Sequence, residues 1–260
     1  MTRRSLLLTP TLLAAQQPAP FQWPSGYKAA LSLSFDDARL SQVDAGIPFL
    51  NKHNTKATFY VLSSSYTKRL DAWKAALKAG HEIAHHTKTH ACTGNYAFAK
   101  NKALEDFTLT RMAEDLDTAT DEIVTTFGIK PTSFAYPCGQ KFVGRGASTQ
   151  SYVPLIAKRF VTGRGYLDEA ANDPTICDLS ALMGTGLDNL DFPAMKKLLD
   201  AASKDGRWLI FAGHEMGNEN KHQMTSLDAL AQLIPYARSQ NIWLDTVASI
   251  GRHLHNTRRP

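Results

Sequence analysis

The sequence predicts one α/β domain, with a parallel β-sheet and helices packed outside it. Segments rich in strand-forming residues alternate with segments whose apolar residues recur at helical spacing. This alternation is typical of parallel sheets, either open or closed into a barrel. No linker, repeat or shift in composition divides residues 21–260, and this length is sufficient for one complete core.

The predicted strands are short apolar runs, and they cover 29–35, 57–62, 82–84, 133–136, 160–162, 208–212 and 242–244. The predicted helices carry apolar residues three or four positions apart, and they cover 44–52, 70–79, 104–127, 152–160, 195–202 and 227–238. Gly80 and Gly128 follow two of these helices and are expected to end them. Functional residues of parallel α/β folds lie at the carboxyl ends of strands, so the polar residues after each strand are the candidates for function.

The first twenty residues have a different composition from the rest. Arg3 and Arg4 precede a short apolar stretch and several small residues, with no acidic residue among them. This pattern is typical of a cleavable export signal, and the paired arginines also fit the twin-arginine type. The apolar stretch is too short to cross a bilayer. We therefore expect a signal segment at 1–20 and a secreted or periplasmic protein, although an uncut terminus would also fit.

The remaining composition excludes some classes of protein. The formal net charge is +5, but the basic residues are scattered and not interleaved with aromatic residues, which argues against a nucleic-acid partner. The three cysteines, Cys92, Cys138 and Cys177, allow at most one disulfide and one free thiol. The sequence has no CxxC pair, so a thiolate zinc site is not favoured.

Two adjacent carboxylates, Asp36 and Asp37, follow the first predicted strand. Neighbouring side chains at a strand end point in roughly opposite directions, so the two aspartates are expected to have different roles. One could bind a cation while the other accepts a proton. A turn or a helix cap is the simpler interpretation of the pair taken alone.

Four histidines lie within ten residues: His81, His85, His86 and His90. The separation of His86 and His90 would put both imidazoles on one side of a helical turn, where they could bind one ion. The first two histidines flank a predicted strand and would not converge. A cluster of structural histidines is the alternative, because spacing alone is a weak signal.

Two further segments carry candidate groups. The run 134–139 ends a strand in Tyr136, Pro137, Cys138 and a glycine, a turn that could expose a backbone N–H to an oxyanion. His214 follows the apolar strand at 208–212 and could be a structural histidine or a general acid.

Taken in order, these segments resemble the motifs of the polysaccharide deacetylase family, which is carbohydrate esterase family four with its NodB-type domain. The segments are Ser-Phe-Asp-Asp at 34–37, His-Thr-Lys-Thr-His at 86–90, Ala-Tyr-Pro-Cys-Gly at 135–139, and His214. The resemblance extends over about residues 29–255. The first two motifs are specific as a pair, whereas each motif alone is weak.

The resemblance implies a distorted (β/α) barrel of about seven strands and a divalent metal, Zn²⁺ first and Co²⁺ or Ni²⁺ in other members. Matched by position, Asp36 is the catalytic base, and the metal ligands are Asp37, His86 and His90. His214 is the acid for the leaving group, the Cys138 N–H is the oxyanion donor, and Tyr136 and Pro137 contribute to substrate binding. The implied substrate is an acetylated glycan.

Three departures from the family pattern stand out, and one of them is Cys138 in place of the more usual tyrosine of the third motif. The third motif often begins with an arginine that pairs with the base aspartate, and Ala135 occupies that position here. The acidic residue that orients the acid histidine is not evident, and Asp188, Asp191 and Glu215 are candidates. Three alternatives therefore stay open: an O-acetyl esterase, such as one acting on acetylated xylan, a non-catalytic carbohydrate-binding protein on this scaffold, and a relative acting on small cyclic amides.

Overall fold

The computed structural model describes residues 21–219 and 221–258, so the predicted signal segment at 1–20 lies outside the described residues. The strands are β1 Ala29–Asp36, β2 Thr58–Val61, β3 Glu82–His85, β4 Ser133–Ala135, β5 Phe142–Val143, β6 Gln150–Ser151, β7 Thr162–Arg164, β8 Thr185–Gly186, β9 Trp208–Gly213, β10 Glu215–Gly217, β11 Met224–Ser226 and β12 Ile242–Leu244. The α-helices are α1 Ile47–Lys52, α2 Ser63–Tyr66, α3 Leu70–Lys78, α4 Leu109–Phe127, α5 Val153–Arg159, α6 Phe192–Lys204, α7 Leu227–Ser239 and α8 Val247–Thr257.

The main sheet is parallel throughout and runs in the order β7-β4-β3-β2-β1-β9-β8, with β12 paired to the start of β1. Its two ends approach each other just before β8. The backbone N–H of Gly165 donates to the Leu182 carbonyl at 2.7 Å, and Leu182 donates to the Gly163 carbonyl at 2.7 Å. These bonds curl the sheet into a distorted (β/α) barrel of seven principal strands, which confirms the predicted fold class.

The strands of this barrel are buried on both faces. All eight residues of β1 and all six of β9 are buried. One face packs against the helices, with Phe59 and Phe211 in one cluster with Trp73 of α3. The other face faces the barrel interior and carries residues such as Tyr60 and Ala84. A strand that is covered on both faces has a continuously apolar sequence, and for this reason β9 could be predicted from the sequence.

Capping residues explain where the helices differ from the prediction. The helix predicted from 104 begins at Leu109, because the Thr108 side chain caps it by accepting from the Arg111 N–H at 3.1 Å. Helix α6 begins at Phe192, three residues earlier than predicted, behind an Asp191 cap. Gly128, at φ 69°, ends α4 as predicted. Several elements were not predicted, namely the strands β5, β6, β8, β10 and β11 and the helices α2 and α8. Within the described ranges, no helix is long and apolar enough to cross a membrane.

Candidate active site

The predicted site residues converge at the carboxyl end of the barrel. Phe35 lies opposite Gly213 in the β1–β9 register, so Asp36 and His214 leave neighbouring strands side by side. The fully buried Gln42 side chain joins these two ends, donating to the Asp36 carbonyl at 2.7 Å and to the His214 carbonyl at 2.8 Å. Strand pairing thus brings together side chains that are far apart in sequence.

Three side chains meet at one point of this site. The Asp37 Oδ1 atom lies 3.5 Å from His86 Nε2 and 3.3 Å from His90 Nε2. This buried oxygen has no hydrogen-bond partner within the described part of the chain. The three residues form a group whose ligand atoms all lie within 4.8 Å of one another. A buried carboxylate oxygen facing two imidazoles in this way is expected where a cation binds.

The donor set and its spacing fit a divalent metal. Oxygen and nitrogen ligands held at about 2.0–2.1 Å in tetrahedral directions lie about 3.4 Å apart, close to the separations seen here. The Nδ1 of His86 lies 2.9 Å from the Ala135 carbonyl, which accepts its proton and leaves Nε2 free as a ligand. Two imidazoles and one carboxylate would leave further coordination positions open, as in catalytic rather than structural sites.

The charges in this group also favour a cation. Burial raises the pKa of Asp37, but His86, His90 and Arg39 outweigh it and lower that pKa to about 2. Burial lowers the pKa of His90 to about 4, so its imidazole is neutral at neutral pH. Ligands must be deprotonated to bind a metal, and these two are. Arg39 holds the other oxygen of Asp37, with Nη2 at 2.8 Å from Oδ2.

The loop that carries the two histidines differs from the prediction. Residues 86–90 do not form a helical turn. They form an irregular bend after β3, with positive φ at Thr87 (66°) and His90 (50°). The buried Asp115 stabilises the bend by accepting from the Lys88 N–H at 2.8 Å. The prediction of a helical turn was therefore wrong, although both imidazoles reach one point. His81 and His85 are structural: His81 Nδ1 accepts from the Ala57 N–H, and His85 Nε2 lies 3.0 Å from the Leu116 carbonyl.

Asp36 points away from this group and pairs with an arginine that the sequence analysis missed. Its Oδ1 accepts from Nη2 of Arg164, which is the last residue of β7 and fully buried. The Arg164 guanidinium also lies 4.7 Å from the centre of the Tyr60 ring. In the β4–β7 register Arg164 is the direct neighbour of Ala135. An arginine therefore does pair with Asp36, but it comes from the strand next to the motif position.

His214 is oriented by Asp188. Its Nδ1 lies 2.6 Å from Asp188 Oδ2, and its backbone N–H donates to Oδ1 of the same carboxylate at 2.9 Å. Burial lowers the pKa of His214, but the Asp188 hydrogen bond and the nearby carboxylates outweigh it and raise that pKa. The other two candidates for this orienting role have different partners: Asp191 caps α6, and Glu215 accepts from Ser41.

Cys138 lies in a tight turn after β4 and is bonded to Cys92 in a disulfide. Its φ is 55°, so the backbone is in the left-handed region, and Gly139 follows at φ 69°. Cys92 comes two residues after His90, so the disulfide links the candidate ligand loop to the turn with the candidate oxyanion donor. The third cysteine, Cys177, is a free thiol.

Tyr136 is a correction to the sequence prediction. Its side chain is fully buried, and its hydroxyl donates to the Ser180 carbonyl at 2.6 Å. The ring packs within the core beside Phe134 and Tyr152. A side chain enclosed in this way cannot contact a substrate, so the predicted binding role of Tyr136 is wrong. Pro137 is also buried, and its role in substrate binding stays a prediction.

Comparisons with known proteins agree with this arrangement. Residues 25–149, which are 125 of the 260, match the polysaccharide deacetylase family model and include the candidate metal ligands. A 61-residue stretch is 39% identical to peptidoglycan-N-acetylglucosamine deacetylase PgdA of Listeria monocytogenes, covering 23% of this chain and 13% of that protein. The chain spans between 13% and 29% of the length of the curated relatives it matches.

Solved structures extend the likeness to nearly the whole chain. A Mycobacterium smegmatis protein assigned to the polysaccharide deacetylases superposes with a TM-score of 0.65, at 14% identity over 93% of this chain and 95% of that one. Puue allantoinase superposes with a TM-score of 0.63, at 16% identity over 91% and 93%. At these identities the superpositions show a shared fold only. The family resemblance predicted from the motifs is confirmed.

Proposed function

We propose that this chain is a metal-dependent hydrolase that removes acetyl groups from a carbohydrate or cell-wall polysaccharide, a proposal supported by the match of residues 25–149 to the polysaccharide deacetylase family model. One observation carries the proposal: Asp37 Oδ1 faces two imidazole Nε2 atoms at 3.3 and 3.5 Å, beside a second, separate carboxylate. That combination supplies both an ion site and a base, the two requirements of metal-assisted hydrolysis.

Asp37, His86 and His90 are the residues that would hold the metal, with Zn²⁺ as the first candidate and Co²⁺ or Ni²⁺ as alternatives. When bound, such an ion polarises an acyl carbonyl and lowers the pKa of water. The Arg39 contact to Oδ2 fixes the Asp37 carboxylate so that Oδ1 faces the histidines. The Ala135 carbonyl fixes the ring of His86 in the same way.

The remaining groups act on protons and on developing charge. Asp36, kept beside the Arg164 cation, accepts a proton from the attacking water. The Cys138 N–H donates to the oxyanion that forms on the acetyl carbonyl oxygen when water attacks the carbonyl carbon. His214, held by Asp188 through Nδ1, donates a proton from Nε2 to the departing amine or alcohol.

The substrate is proposed to be an acetylated glycan outside the cytoplasm. The Listeria relative is named for peptidoglycan N-acetylglucosamine, which supports an N-acetyl group as the first candidate bond. O-acetyl esters, as in acetylated xylan, are the alternative. The Cys92–Cys138 disulfide and the basic, apolar N-terminal pattern together support export, because disulfides persist in oxidising compartments. Finding the chain uncut and retained in the cytoplasm of expressing cells would contradict export.

An acetate-release screen with paired variants tests the proposed activity. The purified protein is assayed on chitooligosaccharide, peptidoglycan and acetylated xylan, with metal content measured for each preparation. We expect His86→Ala to lose both metal and activity, and Asp36→Asn to keep the metal while its rate falls at least about a thousandfold. An Asp36→Asn variant that keeps bound metal and near-full rate would show that Asp36 is not the base.

A non-catalytic carbohydrate-binding protein is the second candidate. It was suggested by the missing motif arginine at Ala135. The Arg164–Asp36 pair removes that reason, since a buried guanidinium lies beside the candidate base after all. Glycan binding without acetate release from any substrate, in a preparation with its metal present, would favour this candidate.

A further inference from the structure

A groove of about 450 Å³ opens above the candidate metal ligands. This entrance groove is lined by residues that include Asp37, Arg39, Lys68, His90, Phe98 and Lys102. Asp37 and His90 belong to the candidate ion site, so a molecule in the groove reaches the place where the proposed chemistry occurs. The side chains along its walls therefore bear on which glycan enters.

The charges in the entrance groove are unbalanced. Arg39 is neutralised by Asp37 at 2.8 Å and by Glu215 at 3.6 Å. Lys68 and Lys102 form no ion pair with any described residue. Lys102 is half-buried, with its Nζ donating to the Thr89 carbonyl at 2.7 Å, so its position is fixed while its charge is uncompensated. Two ammonium groups that have no carboxylate partner among the described residues attract an anionic ligand.

One exposed aromatic ring, Phe98, lines the groove, and a second, Tyr96, stacks on it from outside the lining. Phe98 is 55% exposed and Tyr96 is 46% exposed, and the two rings are stacked with centroids 5.4 Å apart. The Phe98 ring centre lies 6.0 Å from that of His90 and 6.0 Å from Lys102 Nζ. Large exposed rings in a groove mark a binding surface, and their flat faces suit the apolar face of a sugar ring.

We propose that the entrance groove recognises an acetylated glycan that carries carboxylates: Phe98 stacks on a sugar ring, and Lys68 and Lys102 bind a carboxylate on or beside it. This inference rests on the proposed function and names its substrate class. The carboxylate could belong to the lactyl ether of peptidoglycan glycan strands freed of their peptide stems, or to a uronic acid, as in glucuronoxylan. Both offer the same anionic oxygens to an ammonium group.

Two matched substrate pairs separate charge recognition from sugar recognition. Peptidoglycan glycan strands without their peptide stems are compared with neutral chitooligosaccharide, and acetylated glucuronoxylan is compared with acetylated xylan without uronic acid. Affinity is measured by calorimetry with the Asp36→Asn protein, so that hydrolysis does not interfere. We expect tighter binding of the carboxylated member in at least one pair, with the preferred pair identifying the carboxylate source.

Variants then assign the preference to residues. In a Lys68→Met/Lys102→Met protein, the affinity ratio between carboxylated and neutral members should fall about tenfold at low salt, since each exposed ion pair contributes modestly. Phe98→Ala should weaken both members by a similar factor and leave the ratio unchanged. Lys74→Met is the matched control, because it removes the same charge from an exposed position on α3 outside the groove.

The outcomes are distinct for the two proposals. Equal affinity for both members of each pair, or a ratio that the double lysine variant does not change, would overturn the carboxylate proposal even if acetate is released. Preferential, lysine-dependent binding of the carboxylated member would support it. A wild-type protein that binds this member but releases no acetate would contradict the proposed hydrolysis while leaving the binding inference in place.

Discussion

The two halves of the candidate site are built from different kinds of interaction. In the metal half, the Ala135 carbonyl orients His86 and the exposed Arg39 orients Asp37. The bent loop after β3 positions His90. In the proton-transfer half, Asp36 and His214 are each held by a buried, oppositely charged side chain. The first half can adjust to an ion through its loop. The second half depends on two fixed pairs with little freedom to rearrange.

This difference predicts where substitutions are most costly. Removing one partner of a buried ion pair leaves the other charge buried without compensation, whereas a loop ligand can move toward solvent. The proton-transfer half should therefore contribute more to folding stability, and the metal half should respond mainly in ion binding. Three substitutions test this contrast, and they are ordered here by the size of the expected effect.

Arg164→Met should have the largest effect. It leaves the buried Asp36 carboxylate unpaired, and we expect the free energy of unfolding to fall by about 3–5 kcal/mol. Urea unfolding measures the change. In a double-mutant cycle with Asp36→Asn, the combined loss should be smaller than the sum of the single losses, because both act on one interaction. Additive losses would mean that the pair does not act as a unit.

Arg159→Met is the matched control for that substitution. Arg159 pairs with Asp117 at 2.7 Å, but the Asp117 side chain is 60% exposed. A pair of this kind contributes about 0–1 kcal/mol. If Arg159→Met were as destabilising as Arg164→Met, burial would not be what distinguishes the two ion pairs.

The metal half was largely predictable from the sequence. In the other half, Asp188 was one of three candidates for orienting His214, and Arg164 was not predicted. Asp37, His86 and His90 follow predicted strand ends, where local rules apply. Arg164 lies 128 residues from Asp36, and Asp188 lies 26 residues from His214 in a segment with no periodic pattern. Only the strand register brings these partners together. The one available signal was a charged residue just after the predicted strand at 160–162.

For Tyr136 the error was of the opposite kind. The residue lies inside a matched motif and was predicted to bind substrate, but its side chain packs in the core. A motif fixes the backbone path of a turn, but the direction of each side chain depends on neighbours from other strands. Here the Ser180 carbonyl, 44 residues later, receives the tyrosine hydroxyl. The fold class was predictable because alternation of strands and helices is a repeated pattern, whereas β8, only two residues long, offers no pattern to detect.

Removal of the disulfide should have the second largest effect and sharpen the account of the metal half. Cys92 and Cys138 are 46 residues apart, and opening a loop of that size costs about 2–4 kcal/mol of stability. Because Cys92 lies two residues after His90, the Cys92→Ser/Cys138→Ser protein should also bind zinc more weakly. Urea unfolding without reductant measures the change in stability, and zinc titration measures the change in affinity.

Cys177→Ser, which removes the free thiol, serves as control. Unchanged stability and zinc affinity in the double serine protein would show that the disulfide does not support the ligand loop.

Asp188→Asn should have the smallest effect on stability, because His214, unlike Arg164, can release its proton and become neutral once the partner charge is lost. Its clear effect should be on catalysis. The pKa of His214 is raised in the folded protein, and the Asp188 hydrogen bond is the largest contribution to the rise. A general acid works only while protonated, so activity is lost as pH rises through that pKa. The asparagine removes the negative charge, and the alkaline limb of the kcat profile should move to lower pH, with kcat falling about a hundredfold. Metal content should be unchanged.

Asp191→Asn is the control, since asparagine caps α6 as well as aspartate does and should leave the pH profile unchanged. If the alkaline limb stays in place in Asp188→Asn, His214 is not the group that titrates there, and the fixed His214–Asp188 pair would have a structural role only.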